Sequence, residues 1–141
     1  MRETNRSGRG AREPFAPVPT ETEKVATAVV NAAFKVHSAL GPGLLESVYE
    51  ACLCHELRRG ELPFRSQVAL PVCYQGIRID AGLRLDILAD EQVIVELKAV
   101  EEMRKLYDAQ LLTYLKLTGL RLGLLINFSV PLFKEGIRRI V

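Results

Sequence analysis

The chain lacks the features that would place it in an oxidising or membranous setting. Its three cysteines, Cys52, Cys54 and Cys73, are an odd number with no framework spacing, so a disulfide scaffold is not expected. No apolar stretch near the start has the shape of a secretory signal. The longest apolar run, toward the C-terminus, is broken by Arg121 and is too short to span a bilayer. A cytoplasmic protein with no membrane partner is the expectation. Surplus charge is missing as well. The formal charge is +2, and four of the 19 basic and two of the 17 acidic side chains fall within residues 1–19. The remainder is balanced, which excludes a strongly basic nucleic-acid binder and limits any such contact to a local patch. Internal repeats are absent. Zinc is not expected at Cys52, Cys54 and His55, because residues two apart on a helix point to nearly opposite sides.

What is present suits one globular domain. With 141 residues, 48% of them apolar, the chain can bury a sizeable core. Residues 1–19 are polar, basic and punctuated by Gly and Pro, and read as a flexible tail before a single domain at 20–141. Thr20 and Glu23 have the spacing of a capping box ahead of a helix that ends at Gly41-Pro42-Gly43. A second helix, LLESVYEACLCHELRR, stops at Gly60. The segments RSQVALPVCY, IRIDAGLRLDIL and QVIVELKAV read as strands with turns at Gln75-Gly76 and around Asp90-Glu91. A third helix is expected over about 102–118, then strands at LGLLINF and FKEGIRRIV. The order ααβββαββ contains a strand–helix–strand crossover, so the expected class is α/β with a mixed sheet flanked by helices.

One strand poses a chemical problem. In VIVELKAV, residues 93–100, side chains alternate between faces, so Glu96 and Lys98 share a face in a segment that asks for burial. Burying an unpaired charge costs at least several kcal/mol, so these two require partners. A structural ion pair would satisfy them, and so would a functional site. Asp86 in LRLDIL is one candidate partner. Glu46 lies between Leu53 and Leu57 on the second helix, beside Tyr49, at the border of the apolar stripe or turned inward. Gln110 falls in the stripe of Met103, Leu106, Tyr107, Tyr114 and Leu117, where it either pairs with Tyr114 in the core or faces a pocket.

The pattern of Asp86, nine residues, Glu96-x-Lys98 resembles the active-site motif of the PD-(D/E)XK nuclease superfamily. GPGLLESVYE further resembles the hallmark of its GxxExxY branch, with Gly43, Glu46 and Tyr49 in the named positions, and the likeness runs from about residue 25 to 141. Leu85 stands where the superfamily's namesake Pro would be. The resemblance implies a restriction-endonuclease-like core and a Mg2+-dependent nuclease, Mn2+ substituting, that acts on nucleic acid, most simply DNA. It implies Asp86, Glu96, Glu46 and the Leu97 carbonyl as metal ligands, with Asp86, Glu96, Lys98 and Glu46 catalytic. Gln110, Tyr114 and Tyr49 would shape the pocket. It leaves room for a homo-oligomer. A nuclease-fold protein that binds or regulates without turnover is the alternative.

Parity makes this reading testable. Paired residues of an antiparallel hairpin share a face. A two-residue turn at Asp90-Glu91 would pair Ala89 with Gln92, put Asp86 opposite Val95, and separate it from Glu96. A shared site requires pairing of Leu88 with Gln92, or of Asp86 with Glu96, through a three-residue loop or a bulge.

Overall fold

Two helices open the fold: α1 (Thr20–Leu40) and α2 (Glu46–Arg59). The chain continues through β1 (Phe64–Ala69), β2 (Val72–Tyr74), β3 (Ile77–Ile79), β4 (Arg84–Ala89), β5 (Val93–Lys98), α3 (Lys105–Thr118), β6 (Leu122–Asn127), a 3-10 turn at Phe133–Gly136 and β7 (Ile137–Ile140). The computed structural model describes residues 16–141. The tail expected over 1–19 therefore lies largely outside the described residues. Within 16–19, Arg121 Nη2 donates to the Ala16 carbonyl at 2.8 Å and Val18 packs against the core, so this part is docked.

Five strands form one sheet in the order β1-β4-β5-β6-β7, antiparallel throughout except for the parallel β5–β6 pair. That pair is the crossover through α3, so the sheet is mixed, as the element order requires. Two of the expected strands are each divided in two. Pro71, which has no N–H to donate, follows β1, and the chain folds out into the separate β2–β3 hairpin before returning as β4. Gln75 and Gly76 both have positive φ (49° and 82°), the backbone that a tight primed turn needs.

Helices cover both faces. One core cluster joins α1 and α2 (Val29, Ala33, Tyr49, Leu53, Leu57) to Ile87, Val93, Val95, Leu97 and Leu124. The other joins Leu111, Tyr114 and Leu115 of α3 to Leu88, Ile94 and Leu125. The alternation of β5 is thus realised, with Val93, Val95 and Leu97 on one face and Ile94 on the other. Gly123 sets how closely α3 approaches: a Cβ there would come 2.8 Å from a Leu111 methyl.

Local differences have physical causes. The capping box is not formed. Pro19 precedes the helix, no side chain caps it, and Glu23 is engaged instead by Arg139 Nη1 at 2.8 Å. Ahead of α2, which begins at Glu46, the Leu44 N–H donates to the Tyr49 hydroxyl at 3.0 Å. The buried stripe of α3 centres on Leu111, Tyr114 and Leu115; Leu106 is 70% exposed, and Gln110 is exposed too.

Candidate active site

The β4–β5 hairpin decides whether a site exists. Its pairs are Ile87–Val95, Leu88–Ile94 and Ala89–Val93, the register that sets Asp86 opposite Glu96. The loop is Asp90-Glu91-Gln92, three residues long, and Asp90 and Glu91 take positive φ of 50° and 55°. Backbone pairing stops at Ile87–Val95. Beyond it the carboxylates replace the ladder: Asp86 N–H donates to Glu96 Oε2 at 3.0 Å, and Leu97 N–H donates to Asp86 Oδ2 at 2.8 Å. The two acids are therefore adjacent; Glu96 shares the α3 face with Ile94, while the alternation of β4 breaks at Asp86, since Leu85 and Leu88 both pack toward α3 and Ile87 packs toward α1 and α2. Pairing fails on the other side of Asp86 as well. The β1–β4 ladder runs to Ser66–Ile87, skips Gln67–Asp86 and resumes at Val68–Leu85, with Gln67 at φ 52°.

Lys98 lies on the same face, two residues beyond Glu96. Its Nζ stands 4.3 Å from the centre of the Tyr107 ring, a cation–π contact, and no ion pair among the described residues involves it. Its backbone is fixed through β6, where Phe128 N–H donates to the Lys98 carbonyl at 2.9 Å. Asn127, fully buried beside Lys98 in the parallel register, clamps the exit from β5: Oδ1 accepts Val100 N–H at 3.1 Å and Nδ2 donates to the Val100 carbonyl at 2.9 Å.

The electrostatics mark a crowded acidic centre. Burial, then the charge of Asp86, pushes Glu96 up to about 8, while the Asp86 N–H and Lys98 work in the opposite direction. Burial also raises Asp86 against the Leu97 N–H and Lys98. Glu46, the first residue of α2, is raised by partial burial and then by Asp86, so it belongs to the same field although α2 covers the opposite face. Tyr114 is raised by burial and by Glu96 and Asp86, which places its hydroxyl in that field too. These shifts share burial as their largest cause, and for Glu96, Glu46 and Tyr114 neighbouring carboxylates add to it.

Of the residues expected at the site, Asp86, Glu96 and Lys98 come together, with Glu46 and Tyr114 in electrostatic reach. Gln110 lies on the α3 surface between Tyr107 and Tyr114 and is not a core partner of Tyr114. Tyr49 is a correction. It is fully buried, stacked on Phe128 at 4.5 Å and 6°, and its hydroxyl donates to the Gly41 carbonyl at 2.6 Å. It pins the Gly41–Leu44 turn ahead of Glu46 and does not line a pocket. Sequence reasoning missed Tyr107, Asn127 and Gln67. Asn127 carried the same signal as Glu96, one polar residue within an apolar strand; Gln67 carried none.

Among the described residues no three His, Cys, Asp or Glu side chains converge closely enough to enclose an ion. A closed protein cage is therefore not the arrangement. Two hard carboxylate oxygen donors facing one another, short of positive charge, fit Mg2+, which takes one or two carboxylates and fills its shell with water and phosphate oxygens.

The chain matches the family model of the PD-(D/E)XK nuclease superfamily over residues 23–140, and it belongs to that superfamily. Members are typically metal-dependent nucleases. No curated protein and no solved structure matches the chain. Among the described residues no helix is long and apolar enough to cross a membrane.

Proposed function

We propose that this protein is a Mg2+-dependent nuclease that hydrolyses DNA phosphodiesters, and that it falls in the GxxExxY branch through Gly43, Glu46 and Tyr49. One observation carries the reading: Asp86 and Glu96 oppose each other where the β4–β5 ladder gives way to side chains, with Lys98 on the same face. Asp86, Glu96 and the Leu97 carbonyl would hold the ion, with Glu46 as a further or outer ligand. When bound, Mg2+ neutralises phosphate charge and makes the attacking water more acidic. The chain's own groups do the rest. Lys98, steadied over Tyr107, orients the water or donates to the phosphate as charge develops. Tyr114 and Gln110 on α3 contact the DNA backbone beside the scissile bond. The Tyr49 hydroxyl fixes the turn and hence the start of the helix that carries Glu46.

Cleavage of single- and double-stranded DNA with Mg2+ or Mn2+, against EDTA, tests this directly. Metal-dependent cleavage that disappears in Asp86→Asn and Glu96→Gln is the expected result. One observation favours the second reading, a nuclease-fold binder without turnover: Asp86 Oδ2 and Glu96 Oε2 each already accept a backbone N–H. Metal-independent DNA binding with no cleavage under any of these conditions would establish it.

A further inference from the structure

Gln67 adopts backbone that its residue type disfavours, in the middle of a strand. Its φ of 52° is left-handed, a conformation that non-glycine residues rarely take and that gathers at functional sites. The register on either side is unchanged, so no residue has been inserted; one residue has turned over. The cost falls opposite Asp86 and at no other rung of that ladder. The turned carbonyl is retained by Arg84, whose Nη1 donates to it at 3.2 Å.

The side chain explains the placement. Gln67 Nε2 donates to both carboxylate oxygens of Glu50, at 3.1 and 3.0 Å. Glu50 is one helical turn after Glu46 and shares its face of α2. Ser47, Glu50, Cys54, Arg58, Ser66 and Gln67 line an open groove of about 480 Å3 between α2 and β1, and this amide spans it, while Arg58 over the Phe64 ring joins the same two elements farther along.

We infer that Gln67 is a positioning residue of the carboxylate site, latching the helix that carries Glu46 to the strand position opposite Asp86. The inference rests on the metal-dependent nuclease reading. The latch fixes Glu46 relative to Asp86 and Glu96, and the turned backbone leaves Asp86 outside the β1 ladder, its N–H directed to Glu96. A role confined to folding would not need the strained backbone, because glycine accepts that φ without the penalty.

Calorimetric titration of Mn2+ into the full chain without nucleic acid, beside oligonucleotide cleavage kinetics and thermal melts, tests the latch. Gln67→Gly is expected to melt at or above wild type. Its Mn2+ affinity should fall at least fivefold and kcat about tenfold, with KM for the oligonucleotide unchanged. Glu50→Ala, which removes the other end, should lose a similar factor, and the double variant no more than the worse single one, as for two parts of one contact. Wild-type Mn2+ affinity in Gln67→Gly or Glu50→Ala, additive losses in the double variant, or a Gln67→Gly protein that does not fold would each overturn the latch. A wild type that binds Mn2+ but cleaves nothing defeats the catalytic reading alone, and Mn2+ affinity still decides the latch. Absence of Mn2+ binding by wild type overturns both.

Discussion

The two faces of the sheet solve different problems. On the α1/α2 face, Val29, Ala33, Leu53, Val93 and Val95 are fully buried, and the polar tips there are satisfied, the Tyr49 hydroxyl by Gly41 and Leu44 and the His37 ring by the Val130 carbonyl. On the α3 face, Leu88, Ile94 and Leu115 make a smaller core, bordered along β5 by Glu96 and Lys98 with Asp86 opposite Glu96. There the backbone ladder is interrupted, burial raises both acids, and the charge of Asp86 raises Glu96 further. The first face is arranged for stability. The second accepts unfavourable electrostatics at one spot, which is how a site differs from a core.

That contrast can be broken by experiment. The largest effect should come from the α3 face and appear in activity alone. Asp86→Asn and Glu96→Gln are expected to lower metal-dependent cleavage by ~10^4-fold, roughly 5.5 kcal/mol in the barrier, with the fold intact. Amides are the right substitutions. Each carboxylate accepts a backbone N–H, and an alanine would leave that N–H unpaired at a cost of about 1–3 kcal/mol. Cleavage near the wild-type rate in Asp86→Asn would remove the catalytic assignment.

Next is the opposite face, where the change should be in stability. Phe128, fully buried and stacked on Tyr49, should cost about 3–5 kcal/mol when replaced by alanine. Denaturant melts measure this; a loss below about 1 kcal/mol would mean the α1/α2 face is not the dominant core.

The pH dependence of metal-free stability follows. Glu96 holds its proton up to about 8 in the folded protein against an ordinary 4.5 when unfolded. A raised folded pKa means the native state binds the proton more tightly, so this stabilisation is complete below 4.5 and is lost as pH rises toward about 8. Melts between pH 5 and 9 should fall by on the order of 2 kcal/mol, and Glu96→Gln should flatten the slope. Unchanged stability across that range in wild type would show that the acids are ionised without strain. The smallest effect concerns Gln110. It is exposed, so Gln110→Leu should alter stability by no more than about 0.5 kcal/mol while lowering activity several-fold. A loss above 1 kcal/mol would restore a packing role.

Much of this contrast was legible in the residues. Alternation in Val93–Val100 placed Glu96 and Lys98 together, and parity reduced the site to the length of one loop, which proved to be three residues. Period alone misplaced the α3 stripe by one residue, centring it on Gln110, because Leu106 and Leu117 are apolar yet largely outside the contact with the sheet. Tyr49 was read as a pocket residue because a helical wheel shows which side a hydroxyl leaves from but not the carbonyl it meets. Gln67 could not be found at all. Its significance lies in a backbone rotation and two partners that are distant in sequence, and no local pattern encodes either.

The loop Asp90-Glu91-Gln92 has a consequence for how such a chain can diverge. Exposed turns ordinarily absorb insertions and deletions freely, and this one has no catalytic role of its own. Yet if the loop kept its three residues, one residue gained or lost there would slide the β4–β5 pairing by one and send Asp86 and Glu96 to opposite faces. Its first two residues must accept the left-handed backbone that Asp90 and Glu91 adopt, and a three-residue loop keeps the acids together only in the present register. The β2–β3 hairpin, which stands outside the main sheet, carries no such arithmetic and is where descendants of this sequence can grow or shrink.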